Sequence, residues 1–342
     1  MAGGKKQRKR SGAVFPLLFA ALLASVWLSL SLGRFQVPPE QALRILCARL
    51  LPLRETWDRS MANVVLNVRL PRVLASVFVG SALSASGCTY QSIFKNPLVS
   101  PEFLGVSSGA GIGAAAAILL SLPALLISVF AFVGGIVAVL LTVSIPALIK
   151  NRSNIMLVLS GIIVGSALSS VFGFIKYVAD PDTQLAPIIY WTMGSFAYIQ
   201  LSDLLAVLAV IVFPAALLVI MAWWIDVLSL GEAEAQSLGA NVHLVRSLVI
   251  ICATLLTAGS VCIAGTIGWV GLVVPHLCRL IAGSSNRRLI PLCALVGGLF
   301  MLLVDTLTRI VGIGEMPVSV LTGIIGAPFY CWLLYRQRRA LS

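Results

Sequence analysis

The sequence predicts an all-α polytopic membrane protein of about ten transmembrane helices, forming a single domain over 1–342. Three observations predict it. Of 342 residues, 59% are hydrophobic and only 11% are charged, against roughly 25% charged in a soluble domain. The mean hydropathy is +1.02. A bilayer-spanning helix takes roughly 20 apolar residues, and the roughly 200 present here supply about ten. No polar stretch is long enough to fold as a soluble domain.

The elements follow in order. A basic stretch, 1–12, precedes the first span at 13–32. That span is longer than a signal-peptide core, and no small-residue cleavage site closes it before Gly33 and Arg34. It reads as an uncleaved helix with its N-terminus in the cytoplasm. The connection 33–71 is polar, and 38–51 suits a short amphipathic helix. Spans are predicted at 72–94, 102–120, 124–149 and 154–177. Asp180, Pro181 and Asp182 break the chain before a shorter segment at 184–197. A sixth span at 203–225 leads into a polar loop, 226–246. Two spans are compressed into 247–283, and the last two lie at 289–308 and 317–335.

Charge orients this topology. With the N-terminus inside, the inner segments hold fifteen of the 24 Lys and Arg residues, including Lys95, Lys150, Arg152, Arg287 and Arg288. Seven of the other nine fall at 34–72, in the first external connection and its edges. The remaining outer loops are nearly free of positive charge, which is the bias that sets orientation. The net charge of +12 is therefore a membrane signature, and nucleic-acid binding is not expected. Spans two to five and seven to ten can be matched as halves. An offset of five, being odd, would invert one half relative to the other.

Several motifs carry more than topology. Arg69, Pro71 and Arg72 stand at the outer mouth of span two, where two guanidinium forks flank a stiff turn. They suit either interfacial anchoring or docking of an acidic external partner. Asn96-Pro97 and Ser100-Pro101 read as helix caps followed by proline, with Glu102 complementing the helix dipole. Gln91 suits an interhelical hydrogen bond. Gly109-x-Gly-x-Gly113 is a close-contact helix face rather than a nucleotide loop, since no strand precedes it. Ser229-x-x-Glu232 fits a capping box and Gly239 a left-handed stop. Between them Leu230, Ala233 and Leu238 share one side, so a short helix at 229–239 must pack on something or enter a cytoplasmic partner. His276, after Pro275, suits packing. Asp305 and Arg309 are spaced for an intrahelical ion pair. Glu315 and Pro317 open the last span.

Absences narrow the chemistry. The sequence has no phosphate-binding loop, zinc-binding spacing, Ser/His/Asp arrangement or channel filter. Six of seven cysteines lie in apolar runs, where they act as small packing groups. No catalytic residue, cofactor or metal site is expected.

The stretches RLPRVLASVFVGSALSASGCTYQSIFKNPLVSPEFLGVSSGAG (69–111), WTMGS (191–195), LGEAEAQSLG (230–239), GTIGWVGLVVPHLCRLIAG (265–283), DTLTR (305–309) and EMPVSVLTGIIGAPFY (315–330) resemble a known family. They are similar to the permease subunits of bacterial and archaeal ATP-binding-cassette importers for iron–siderophores, haem and vitamin B12. The resemblance implies ten helices per subunit and a homodimer with a central path. It also implies two separate cytoplasmic ATPase subunits, an external or periplasmic substrate-binding protein, and residence in the cytoplasmic membrane with both termini inside. By resemblance, Arg69, Arg72 and Arg309 dock the binding protein. Leu230, Gly231, Glu232, Ala233, Glu234, Ala235, Leu238 and Gly239 form the element that couples to the ATPase. Gln91, Asn96, Pro97, Pro101, Gly105, Pro275, His276, Asp305, Glu315 and Pro317 belong to structural or path motifs. The segment 150–154 matches an inner constriction in position alone. Ser319 departs from the glycine usual in relatives. The cargo implied is a metal chelate, most simply a ferric siderophore, with haem, cobalamin and molybdate open. A secondary transporter driven by an ion gradient is the competing class.

Overall fold

The computed structural model describes residues 2–341 apart from 50, 53, 152 and 312–314. Arg152, and the side chains of Lys5, Lys6, Arg8, Lys9, Arg10, Arg336, Arg338 and Arg339 on which part of the charge argument rests, lie outside the described parts. Ten principal helices follow one another. They are α1 (Ala2–Ser31), α2 (Leu70–Ile93), α3 (Val106–Leu119), α4 (Ala124–Leu148), α5 (Asn154–Val178), α6 (Leu201–Ile220), α7 (Val242–Ala264), α8 (Val270–Ala282), α9 (Asn286–Val311) and α10 (Val318–Leu341). Seven carry stretches long and apolar enough to cross a bilayer, and three shorter apolar stretches, Val106–Leu119, Val270–Ala282 and Val318–Trp332, complete ten. The expected amphipathic helix is present at Pro39–Cys47. The helix expected to start near residue 72 is longer, because Arg59–Ile93 forms one helical run.

Small residues decide which helices are central. Windows in α7 and α9 are 72% and 61% buried, whereas those in α4, α5 and α6 are 22% buried. The central helices meet across glycines. A Cβ on Gly80 would strike the Gly297 carbonyl, and one on Gly87 the Gly271 carbonyl. Without water to drive apolar association, such close backbone contact supplies the packing energy between membrane helices. Hydroxyls also bond between segments inside the bundle, since lipid offers no partner. Ser86 donates to Ala253 O at 2.8 Å, Thr142 to Leu104 O at 3.0 Å and Ser81 to Ala294 O at 2.7 Å. The outer helices present Leu140, Phe213 and Ile163 to the surroundings.

Two helices are too short to cross alone. At 1.5 Å per residue, α3 and α8, of 14 and 13 residues, span about 20 Å against a hydrocarbon core of ~30 Å. Both start inside the bundle. A Cβ on Gly271 would lie 2.6 Å from Pro101 and 2.9 Å from the Leu83 carbonyl, so Pro101 is level with the middle of α2. The segment after Ile93 therefore turns back into the bundle before α3 begins. Irregular backbone at this depth is tolerated because protein surrounds it. Helix lengths echo the matched halves: 24, 14, 25 and 25 residues in α2–α5, then 23, 13, 26 and 24 in α7–α10.

Candidate functional site

The polar loop after α6 builds a short, fixed projection. The helix Ala222–Leu228 buries Ala222, Ile225, Val227 and Leu228. It is followed by the helix Glu232–Ser237, and Gly239 stops that helix at φ +82°, a left-handed conformation that glycine adopts without strain. The capping box expected from Ser229 does not form. The Ser229 hydroxyl instead donates to Ser92 O at 3.3 Å and Ile225 O at 2.9 Å, and Gly231 takes the N-cap position. Glu232 accepts a bond from Arg246 of α7 at 2.5 Å. That hydrogen bond, with the charges of Arg246, His243 and Lys95, holds its carboxyl below the usual carboxylate range. Ala235 is buried, while Leu230 and Leu238 are 61% and 53% exposed. The projection is thus anchored by one face and offers two leucines beside Glu232 and Glu234.

At the opposite end lie the three arginines. Arg69 and Arg72, expected to present two guanidinium forks at the outer mouth, are instead buried, at 5% and 4% exposure. A buried guanidinium must be satisfied from within the chain. Arg69 donates to Leu30 O at 2.6 Å, to Ser31 O at 2.9 Å and to Phe35 O. Arg72 donates to Asp305 Oδ1 at 2.9 Å and to Glu315 Oε1 at 2.8 Å. Arg309 donates to Ser29 Oγ at 2.5 Å, and its Nε lies 3.4 Å from Asp305 Oδ2. The ion pair expected between Asp305 and Arg309 is present, within a larger cluster joining α1, α2 and α9. Of its carboxylates, Asp305 is wholly buried and Glu315 is half exposed.

Between the two ends a cavity of about 260 Å³ opens beside Glu102, Ser107, Thr257, Gly268 and Trp269. Gly105 caps α3 in a left-handed turn, φ +81°, and Trp269 begins α8 at φ +72°, so two helix N-termini flank it. Among the described residues Ser107 Oγ finds no hydrogen-bond partner. Nearby, Gln91 makes the interhelical bonds its sequence position suggests, donating to Gly271 O at 3.3 Å and accepting from Arg279. Pro101 opens a 3₁₀ turn, Pro101–Leu104. Asn96-Pro97 opens no helix; Asn96 Oδ1 accepts from Leu98 N at 2.9 Å. Pro275 lies within α8, and His276 is buried there, its Nδ1 without a hydrogen-bond partner among the described residues. Among the described residues no group of three or more His, Cys, Asp and Glu is placed to hold a metal. Pro317 directly precedes α10, whose first amide, Val318 N, donates to Gly194 O at 3.0 Å. Ser319 Oγ donates to Met193 O at 2.5 Å, a bond that glycine could not make.

This bundle, with its two broken helices and anchored short helix, has known counterparts. A model of the FecCD transport family matches residues 21–336. The chain belongs to the FecCD transport family. The molybdate import system permease protein MolB of Haemophilus influenzae is 37% identical over 95% of this chain and 96% of its own length. The hemin transport system permease protein HmuU of Yersinia pestis is 36% identical over 97% and 99%. A metal-chelate type ABC transporter, solved in an inward-facing conformation, superposes with a TM-score of 0.85 at 34% identity, covering 95% of this chain and 99% of that one. As a FecCD-family member this multi-pass membrane protein is a permease of the metal-chelate class of ABC importers. Sequence reasoning singled out the short helix and the arginines. It missed Ser29, which accepts from Arg309, and Asn286, which donates to Asp226 at 2.8 Å, because these partners lie far apart in the chain.

Proposed function

We propose that the chain is one half of a homodimeric permease importing a ferric siderophore across the cytoplasmic membrane, with ATP hydrolysed by two separate ATPase subunits. In this reading the Glu232 end and both termini face the cytoplasm, and the Arg72 end faces outward. The observation that carries it is the Glu232–Ser237 helix. A helix of six residues has no stability of its own, yet it is held in place and leaves Leu230 and Leu238 exposed. Two leucines beside two carboxylates suit a partner groove that is apolar at its floor and basic at its rim. ATP binding draws the ATPases together and moves this helix, and the path between the two permeases opens to one side at a time. Each step requires ATP or the loaded binding protein to favour one state by differential affinity.

External docking is proposed over the cluster of Arg72, Asp305, Glu315 and Arg309. Glu315 is the exchangeable member, being half exposed. A carboxylate on the binding protein would reach Arg72 by displacing it, while Arg69 stays bonded to backbone carbonyls as a structural post. Relatives named for molybdate and hemin keep those cargos, and cobalamin, as the alternatives. The test is reconstitution of this chain with its ATPase and binding protein in vesicles, offered each cargo in turn. ATP-dependent uptake of the ferric siderophore is expected. Uptake of only another cargo would move the assignment, and ATP-dependent uptake of none would refute it.

A further inference from the structure

The Glu232–Ser237 helix is joined to the rest of the bundle through a polar lock on its N-terminal side. Asp226 Oδ1 accepts from Asn286 N at 2.7 Å and from Asn286 Nδ2 at 2.8 Å. Its Oδ2 accepts from Ser285 Oγ at 3.1 Å. Asn286 is the first residue of α9 and is 1% exposed. Its own Oδ1 accepts from Ser92 Oγ at 2.7 Å, at the end of α2. Ser229 closes the ring through its bond to Ser92 O. A carboxylate at a helix start binds free amides and complements the helix dipole, so Asp226 grips α9 by its end.

The other end of α9 carries Asp305 and Arg309, bonded to Arg72 and Ser29. At 1.5 Å per residue, its 26 residues run about 39 Å, the full depth of the bundle. One helix therefore has one end tied beside the exposed leucines and the other inside the arginine cluster. We infer that Asp226 is a positioning residue that transmits movement of the Glu232–Ser237 helix to α9, and through α9 to the Arg72 end. This rests on the reading of the Glu232 end as the ATPase-facing one. The competing route runs through Arg246 of α7, which also bonds the projection.

The test uses the complete importer in vesicles and reads cargo carried per ATP hydrolysed. Asp226→Ala removes the grip, and Asn286→Asp sets two carboxylates against each other. Each is expected to lower the ratio by roughly tenfold, within the usual range of coupling between sites. The double variant Asp226→Asn with Asn286→Asp restores a donor and acceptor pair, and recovery to within roughly twofold is expected for an interaction between these two groups. An unchanged ratio in Asp226→Ala, or a double variant no better than Asn286→Asp, overturns the inference. A measurement free of variants covers poor folding: on ATP binding, amide exchange in the first turn of α9 must change together with that of 229–239. Change confined to 229–239 and α7 overturns it. If the unaltered complex shows no ATP-dependent uptake, the importer reading fails instead.

Discussion

Arg72 donates through Nε to Asp305 Oδ1 at 2.9 Å, joining the first turn of α2 to the end of α9 across 233 residues of sequence. The pair is wholly inside the protein, with 5% and 0% side-chain exposure. A buried pair contributes little net stability, but removing one partner strands the other charge.

Asp305→Ala therefore leaves both Arg72 and Arg309 without their shared carboxylate. It should destabilise the detergent-solubilised protein by about 3–5 kcal/mol. Glu315→Ala removes a half-exposed partner of the same arginine and should cost under about 1 kcal/mol. Unfolding midpoints for the two variants check this. Equal losses would show that the cluster is not organised around Asp305.

Glycine positions separate contact from mere presence. Gly87→Ala drives a methyl group into the Gly271 carbonyl, whereas a Cβ at Gly173 meets nothing within 4 Å. The first change should cost at least about 1–3 kcal/mol through overpacking. The second should be neutral or stabilise by up to about 1 kcal/mol through helix propensity. Thermal unfolding of both variants distinguishes the two expectations, and a tolerated Gly87→Ala would contradict the packing described.

The exposed leucines should matter for partners and not for folding. Leu230→Asp with Leu238→Asp should leave the unfolding midpoint almost unchanged, within about 0.5 kcal/mol per substitution. Co-purification of the ATPase subunits should be lost. Retained co-purification would remove the docking role from this helix.

The Glu232–Arg246 bond sets a pH dependence. The carboxyl is held below its usual range, chiefly by its hydrogen bond to Arg246. A depressed folded-state value means the contribution is present above the unfolded-state pKa and is lost as pH falls through the folded-state value. The stability difference between wild type and Glu232→Gln should be constant near neutral pH and vanish in acid. It should also be small, because the glutamate is 57% exposed. A difference that grows with acidification would contradict the assignment.

Apolar length alone made the seven long helices legible, and Gly239 identified the end of the short helix. Depth and long-range pairing were not legible. Asn96-Pro97 and Ser100-Pro101 announce turns, but only the fit of Pro101 against Gly271 shows that the chain re-enters the bundle. Arg69 and Arg72 look like outward forks because their acceptors are remote: Glu315 lies 243 residues from Arg72. Ser229 matches a local capping pattern, yet its hydroxyl turns back to Ile225 O and reaches Ser92 O, 137 residues away, while Gly231 takes the N-cap position. For the arginines and Pro101 a local rule lost to a partner that only the folded bundle supplies.

The proposed function makes this chain a conduit whose energy comes from other subunits. Its most direct test places the purified chain alone in vesicles, under an imposed proton or sodium gradient, beside vesicles holding the complete importer with ATP. Cargo should accumulate only in the second set, and only while ATP is hydrolysed. Gradient-driven accumulation by the chain alone would contradict the claim and make it a secondary transporter.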